Sequence, residues 1–406
     1  MTTTAAPRKI VLAYSGGLDT SVILPWLKER YPGVKLVAYA ADLGQGKGEL
    51  DGIEDKARRS GADEVIVEDL RREFAELYCF PMLRAHALYE QDYLLGTSIA
   101  RPLIAKGQVA AARKTGADAV SHGATGKGND QVRFELTYMA LGPDLKIIAP
   151  WKDPSFELTS REAAVDYAAK KGVPIAQTKK KIYSRDRNLW HCSHEGAEIE
   201  HPDQRASDEV WLMTVPPGKA PDKVETVKVA FRMGNPVAVN GREMRGEQVV
   251  ETLNEIGGRN AVGQVVMVES RLVGMKSRGA YETPGGTILY EAHKALEQLC
   301  IERDTLHFKQ QAAIRYAELV YYGQWFHPLR EALQSFMDHT QRNVTGEVTV
   351  ELYKGRATAV SATAERSLYD TKLASFAMEG YDVTAARGFI DLFGLPMKIA
   401  AMQGVH

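Results

Sequence analysis

The feature that most constrains this chain is a glycine-rich turn, Ser15-Gly16-Gly17-Leu18-Asp19-Thr20-Ser21, placed directly after the apolar run Lys9 to Tyr14. The run reads as a buried strand, and Ser21 to Arg30 as the helix that follows it. Glycines let the backbone curl so that several N–H groups point into one concavity at a helix N-terminus. Such a nest holds anions through fixed partial charges. Ser15, Thr20 and Ser21 add hydroxyl donors. Asp19 suits a phosphate cradle only where a Mg²⁺ ion bridges it to the ligand. The plain alternative is a helix with a glycine-rich start and Asp or Ser caps. The whole run, directly after a buried strand, favours anion binding. No Gly-Lys-[Ser/Thr] is present, so this is not a kinase-type P-loop.

The elements around the turn predict the fold class. Val34 to Ala41 reads as a second strand, closed by Asp42-Leu43-Gly44-Gln45-Gly46. A helix through Glu49 to Ser60, a strand Glu64 to Glu68 and a helix from about Arg71 follow, with further strands at Ala117 to Ser121 and Lys146 to Ala149. Strands alternating with helices imply an α/β domain with a parallel sheet and helices on both faces. Near residue 172 the texture changes. Residues 199–223 carry Pro202, Pro216, Pro217 and Pro221 and read as an extended connector. Thr226 to Arg232 and Val237 to Val239 alternate like antiparallel strands around Gly234-Asn235-Pro236, with a turn at Asn240-Gly241. Glu247 to Ile256 has helical spacing, stopped by Gly257-Gly258. A long helical region runs from Tyr290 to Tyr321, then a hairpin turns at Lys354-Gly355 between Glu347–Tyr353 and a strand to about Ala362. The expected organisation is a nucleotide-binding α/β domain over 1–172, an α+β domain over 173–363 and a tail over 364–406. The tail's amphipathic Phe389-Ile390-Asp391-Leu392-Phe393 cannot bury its apolar face alone, which points to a neighbouring subunit.

A length of 406 residues favours two or three domains over one. Lys+Arg 51 against Asp+Glu 52 leaves a charge of −1, which argues against a broad nucleic-acid surface. No apolar stretch is long enough to span a bilayer, and Met1 to Lys9 with the short apolar run after it does not read as a signal peptide. Cys79, Cys192 and Cys300 lie far apart without a CxxC pair, which fits reduced thiols in the cytosol. The cluster His191, Cys192, His194 and His201 has no spacing of a zinc ligand set and reads as ordinary polar contacts.

Three more segments carry chemistry. His122-Gly123-Ala124-Thr125-Gly126-Lys127-Gly128-Asn129-Asp130-Gln131-Val132-Arg133-Phe134-Glu135 is an open loop after a strand. In it Lys127 can neutralise phosphate, while Asn129, Asp130 and Arg133 can pair with the ammonium and carboxylate of an amino acid. Glu269 to Pro284 is dense in charge and glycine, which by itself is only suggestive, and Tyr93-Leu94-Leu95-Gly96-Thr97-Ser98 alone would be core plus a turn.

Together these segments resemble the argininosuccinate synthase family, ATP pyrophosphatases of the PP-loop group, along nearly the whole chain from Ala13 to Ser367-Leu368-Tyr369. Ser15 to Ser21 alone points only to the wider group, which cuts ATP between the α- and β-phosphates; the loop from His122 to Glu135 and Gly274 to Thr287 narrow it to this family. The resemblance implies that Ala13, Tyr14, Ser15, Gly16, Gly17, Leu18, Asp19, Thr20, Ser21, Ala41 and Gly123 bind ATP. It implies that Thr125, Asn129 and Asp130 hold aspartate, and that Tyr93, Ser98, Asn129, Arg133, Ser184, Ser193, Glu269 and Tyr281 hold citrulline. Asp19, Lys127 and Asp130 are the expected catalytic residues, with Mg²⁺ as a helper ion, and a cytoplasmic homotetramer is implied. Cys192 and His194 beside Ser193, and Ser270, depart from the family pattern. The expected reaction condenses citrulline with aspartate through a citrullyl-AMP intermediate, releasing AMP and pyrophosphate. The rivals are another PP-loop ligase and a nucleotide-sensing module. The first would want a nucleophilic cysteine for glutamine hydrolysis or a basic nucleic-acid face, and the second has no reason to carry the later loops.

Overall fold

In the computed structural model, residues 6–46, 48–126, 128–158, 160–174, 183–375 and 382–405 are described. The N-terminal part is built on a five-stranded parallel sheet of β1 (Lys9–Ala13), β2 (Lys35–Asp42), β3 (Glu64–Asp69), β4 (Ala119–Ser121) and β5 (Lys146–Ile148). Their order is β3-β2-β1-β4-β5, as alternating strands and helices predicted. Both faces are covered, which is why β1 is apolar without alternation. Ile10 and Leu12 pack on Val22, Ile23, Leu27 and Ala164, while Val11 and Ala13 share the other core with Leu103, Val109 and Tyr138. The helix after the turn spans Leu18–Arg30 and so begins inside the glycine-rich motif, with Gly17 as its cap. The next helix is shorter than the expected Glu49 to Ser60, covering Ile53–Arg59.

Two antiparallel sheets follow. The strands are β6 (Ser184–Arg187), β7 (Cys192–Glu195), β8 (Glu225–Arg232), β9 (Asn235–Val239), β10 (Arg242–Glu243), β11 (Gln264–Ser270), β12 (Lys276–Glu282), β13 (Gly346–Tyr353) and β14 (Arg356–Ala364). One sheet runs β11-β12-β7-β6 and the other β10-β9-β8-β13-β14. The hairpin turn at Asn240-Gly241 is present with both residues at positive φ, as its sequence demands, whereas Asn235 and Pro236 lie inside β9 rather than in a turn.

Two helical expectations need correction. The helix Gly246–Arg259 runs through Gly257 and Gly258 instead of stopping at them. These glycines serve close packing: a Cβ on Gly257 would stand 2.9 Å from the Pro284 Cβ, and one on Gly258 2.2 Å from the Met213 carbonyl oxygen. The long helical region divides into Pro284–Cys300 and Arg303–Tyr321, and a further helix, Pro328–Thr340, was not expected. The tail forms the helices Ala385–Phe393 and Leu395–Met402, neither of which buries a residue within this chain.

Candidate functional site

The parallel sheet reverses its strand order between β1 and β4, and the loops leaving those strands part to opposite faces there. A crevice at such a point, beyond the carboxyl ends of the strands, is where open α/β sheets bind ligands. A cleft of about 1060 Å³ lies here. Residues 13–17, 19 and 20, Ala41 at the end of β2 and Gly123 after β4 line one end of it. Gly16 sits at φ +73°, a conformation that glycine adopts without strain, and it turns the chain toward the helix Leu18–Arg30. Gly123 lets the β4 loop come close: a Cβ there would be 3.0 Å from Thr20 Cγ2. The Ser15 and Thr20 hydroxyls lie 3.1 Å apart, and Lys56 of the helix Ile53–Arg59 donates to the Gly16 carbonyl.

The other end is lined by one face of the four-stranded sheet. Cross-strand register sets Tyr281 beside Ser193 and Ser193 beside Asp186, while Tyr281 pairs on its other side with Val265. Residues two apart share a face. Ser184, Asp186, Ser193, Glu195, Tyr281 and Glu269 therefore all look into the cleft, and all six line it. Tyr93, Thr125, Asn129, Asp130 and Arg133 close it from the opposite wall.

The side chains at this end are cross-linked. Tyr281 Oη and Tyr321 Oη each donate to the Glu269 carboxylate at 2.8 Å, Asn129 Nδ2 donates to Tyr321 Oη at 2.9 Å, and Leu272 N–H donates to Asn129 Oδ1 at 3.1 Å. Arg101 Nε and Arg133 Nη1 both donate to Asp130 at 2.9 Å, and Arg101 also holds Asp186. Burial alone would lift the Asp130 carboxyl; Arg101 and Arg133 together pull it below its ordinary value. Asp186 goes the other way, raised by burial against the pull of Arg101. Burial also lifts the Tyr93 phenol to about 12. Behind them His191 Nε2 lies 2.8 Å from Thr97 Oγ1, and burial, helped by Arg101, lowers its imidazole to about 3. It is a neutral ring at neutral pH.

Most of the expected site residues converge on this cleft. Leu18 and Ser21 do not line it: Leu18 packs on the core and Ser21 is buried 3.0 Å from Tyr14 Oη. Ser98 is fully buried in the first turn of the helix Gly96–Thr115, its hydroxyl without a partner among the described residues. Lys127 lies outside the described residues. Sequence reading missed Lys56, Arg101, Asp186, Glu195 and Tyr321. Arg101 stands one helical turn after Thr97, just beyond the Tyr93–Ser98 segment that only the resemblance marked. The others have no local signal.

The His/Cys cluster is not gathered into one place. His191 faces Thr97, and His201 offers its carbonyl to Arg278. Cys192 and His194 lie on the sheet face away from the cleft, with Glu282. There the Glu282 carboxylate accepts from the backbone N–H groups of Leu212, Met213 and Thr214 and from the Thr214 hydroxyl, and His194 Nε2 is 2.7 Å away. Its oxygens are fully engaged by protein donors.

Residues 9–174 match the family model described as arginosuccinate synthase N-terminal HUP domain, and residues 183–400 match the arginosuccinate synthase C-terminal domain. The argininosuccinate synthase of Desulforamulus reducens is 58% identical over 396 residues, covering 97% of this chain and 98% of that one. That of Carboxydothermus hydrogenoformans is 57% identical over 395 residues, with the same coverage. That of a Roseiflexus species is 55% identical over 399 residues, 98% of this chain and 97% of the relative. With both family models matched in order and relatives more than half identical along almost the whole length, this chain belongs to the argininosuccinate synthase family.

Proposed function

We propose that this protein joins citrulline to aspartate at the expense of ATP, making argininosuccinate, AMP and pyrophosphate in arginine biosynthesis. The observation that carries the reading is a single cleft with a backbone anion nest at one end and a buried, cross-linked set of carboxylates, arginines and tyrosines at the other. ATP takes residues 13–17, 19 and 20, Ala41 and Gly123, its leaving phosphates in the nest. Citrulline takes Tyr93, Asn129, Arg133, Ser184, Ser193, Glu269 and Tyr281, all of which line the cleft; Ser98, fully buried outside that lining, has a hydroxyl without a partner among the described residues. Aspartate takes Thr125, Asn129 and Asp130.

A ureido carbon resists an amine because its oxygen leaves poorly. In the proposed sequence that oxygen attacks the α-phosphorus, the bond to the β-phosphate oxygen breaks, and pyrophosphate departs into the nest. The aspartate amine then attacks the ureido carbon of citrullyl-AMP, AMP leaves with the former ureido oxygen, and the amine gives up its proton. Asp130 stays ionised between two arginines and serves to orient the amine. No protein nucleophile is needed; alignment of three substrates and fixed donors supply most of the acceleration.

Mg²⁺ suits the lip of the nest. Asp19 is exposed there, no side chain among the described residues hydrogen-bonds its carboxylate, and desolvation lifts that carboxyl above its ordinary value against the pull of Arg161. Asp19 would hold the ion, which would neutralise charge on the departing pyrophosphate. Among the described residues no helix is long and apolar enough to cross a membrane. We assign the chain to the cytoplasm as a homotetramer of subunits with domains at 1–172 and 173–363, joined through the tail at 364–406, whose exposed Phe389, Ile390, Leu392 and Phe393 need a partner surface.

The decisive experiment supplies ATP, citrulline and aspartate to the protein. AMP and pyrophosphate should form only when both amino acids are present, and oxygen-18 placed in the ureido group should be recovered in AMP. Label retained in argininosuccinate or lost to water would defeat the adenylation route.

A further inference from the structure

The nest has an electrostatic deficit of its own. From Ser15 to Ser21 the only charged side chain is that of Asp19, so the motif itself is anionic although its ligand is a polyanion. Helix-terminal N–H groups supply roughly half an elementary charge. In kinase-type loops a lysine within the motif makes up the difference; here no lysine lies in the motif. Lys56, on the helix after β2, reaches across to it instead. Its ammonium donates to the Gly16 carbonyl, and its side chain lines the same cleft as Ser15, Gly17 and Thr20. The helix that carries it is seated against the turn, since a Cβ on Gly16 would lie 3.5 Å from Ile53 Cγ1.

We propose that Lys56 is a pyrophosphate-binding residue of the nest, a cation supplied from a neighbouring helix in place of a lysine in the loop. It acts in two ways. Its charge stands at the turn into which the leaving phosphates pass. Its bond to the Gly16 carbonyl also polarises the peptide whose N–H belongs to Gly17, making that N–H a stronger donor to phosphate. The inference rests on the function proposed above, because it takes the nest to receive pyrophosphate.

The test measures ligand binding to the full chain by calorimetry, without turnover. Sodium pyrophosphate and AMP are each titrated into the unaltered protein, Lys56→Met and Lys56→Arg, with thermal unfolding recorded to verify that each variant is folded. Lys56→Met should weaken pyrophosphate on the order of tenfold or more, as expected for loss of a charge-assisted contact. AMP should change less than about twofold, because its phosphate lies beyond the nest; a merely structural loosening of the turn would move both ligands together. Lys56→Arg should recover most of the pyrophosphate affinity. Equal weakening of both ligands, an unchanged pyrophosphate affinity in Lys56→Met, or no pyrophosphate binding by the unaltered chain would overturn the proposal. If the unaltered chain binds pyrophosphate but makes no AMP from the three substrates, the function reading fails while the assignment of Lys56 stands.

Discussion

The two ends of the cleft are built in opposite ways. The proposed phosphate end is made mainly of consecutive residues and works largely through its backbone: a positive-φ glycine, a helix start and a few hydroxyls. The amino-acid end is made of side chains from distant segments, each held by another. Glu269 is gripped by Tyr281 and Tyr321, and Asp130 by Arg101 and Arg133. A backbone site tolerates change in its side chains and loses function in small steps. A site of interlocked buried side chains loses shape and function together, since removing one member leaves its partners unpaired.

The largest effect should come from the amino-acid end. Glu269→Ala leaves two buried tyrosine hydroxyls without their acceptor, so kcat/KM for citrulline should fall roughly 100-fold or more, and the unfolding temperature should fall by several degrees. Steady-state kinetics beside a thermal melt would read both; a loss of activity with an unchanged melt would break the comparison. At the phosphate end Asp19→Asn should cut turnover on the order of tenfold and raise the Mg²⁺ requirement, leaving the melt unmoved because the side chain is exposed. Unchanged kinetics would remove Asp19 from the mechanism.

The pH dependence of stability should be another mark of the interlocked end. His191 is held neutral until pH about 3, whereas an unfolded imidazole takes its proton near ~6.5. Between those values the unfolded chain binds a proton that the folded chain refuses, so stability falls as pH falls, by up to about 1.4 kcal/mol per pH unit for this group. The half-buried His86, also lowered to about 3 mainly by desolvation, acts in the same sense elsewhere in the fold. His191→Gln should flatten the slope between pH 6 and 4 in urea titrations, which a histidine free to ionise in the folded state would not do. The smallest effect should be that of Thr125→Ala, on an exposed loop. It should raise the KM for aspartate about threefold to tenfold and that for citrulline less, with no change in stability. The reverse order would mean that the amino-acid assignments are exchanged.

The same contrast explains what was legible in the sequence. The nest is written in consecutive letters, and β1 and β2 beside it are mainly apolar runs, so both could be read directly. The antiparallel face is written in period two over strands as short as Ser184–Arg187 and Cys192–Glu195, too brief for alternation to stand out. Ser184 and Ser193 came from family resemblance with no local pattern to mark them, and Glu269 and Tyr281 stood in a charged, glycine-rich segment that was by itself only suggestive. Tyr321 was read as the end of a helix, and nothing nearby marks it as a bridge between Asn129 and Glu269. Gly257 and Gly258 misled because a glycine admitted for close packing looks the same in sequence as one that ends a helix. Pro328–Thr340 went unread, although a proline at the first helical position is one a helix start accepts.

The bond from Asn129 to Tyr321 spans 192 residues of chain, whereas the nest and its neighbouring strands are complete by residue 148. Chains are made from the N-terminus, and domains tend to fold as they emerge. During synthesis the phosphate end therefore has all its parts well before Tyr321 exists to cross-link the amino-acid end. Such a half-made chain, able to grip a nucleotide, lacks the pocket that brings citrulline's oxygen to the α-phosphate. In the proposed chemistry the attacking atom belongs to a substrate and not to water or the protein, so the growing chain has no way to spend ATP before the last wall of the cleft is in place.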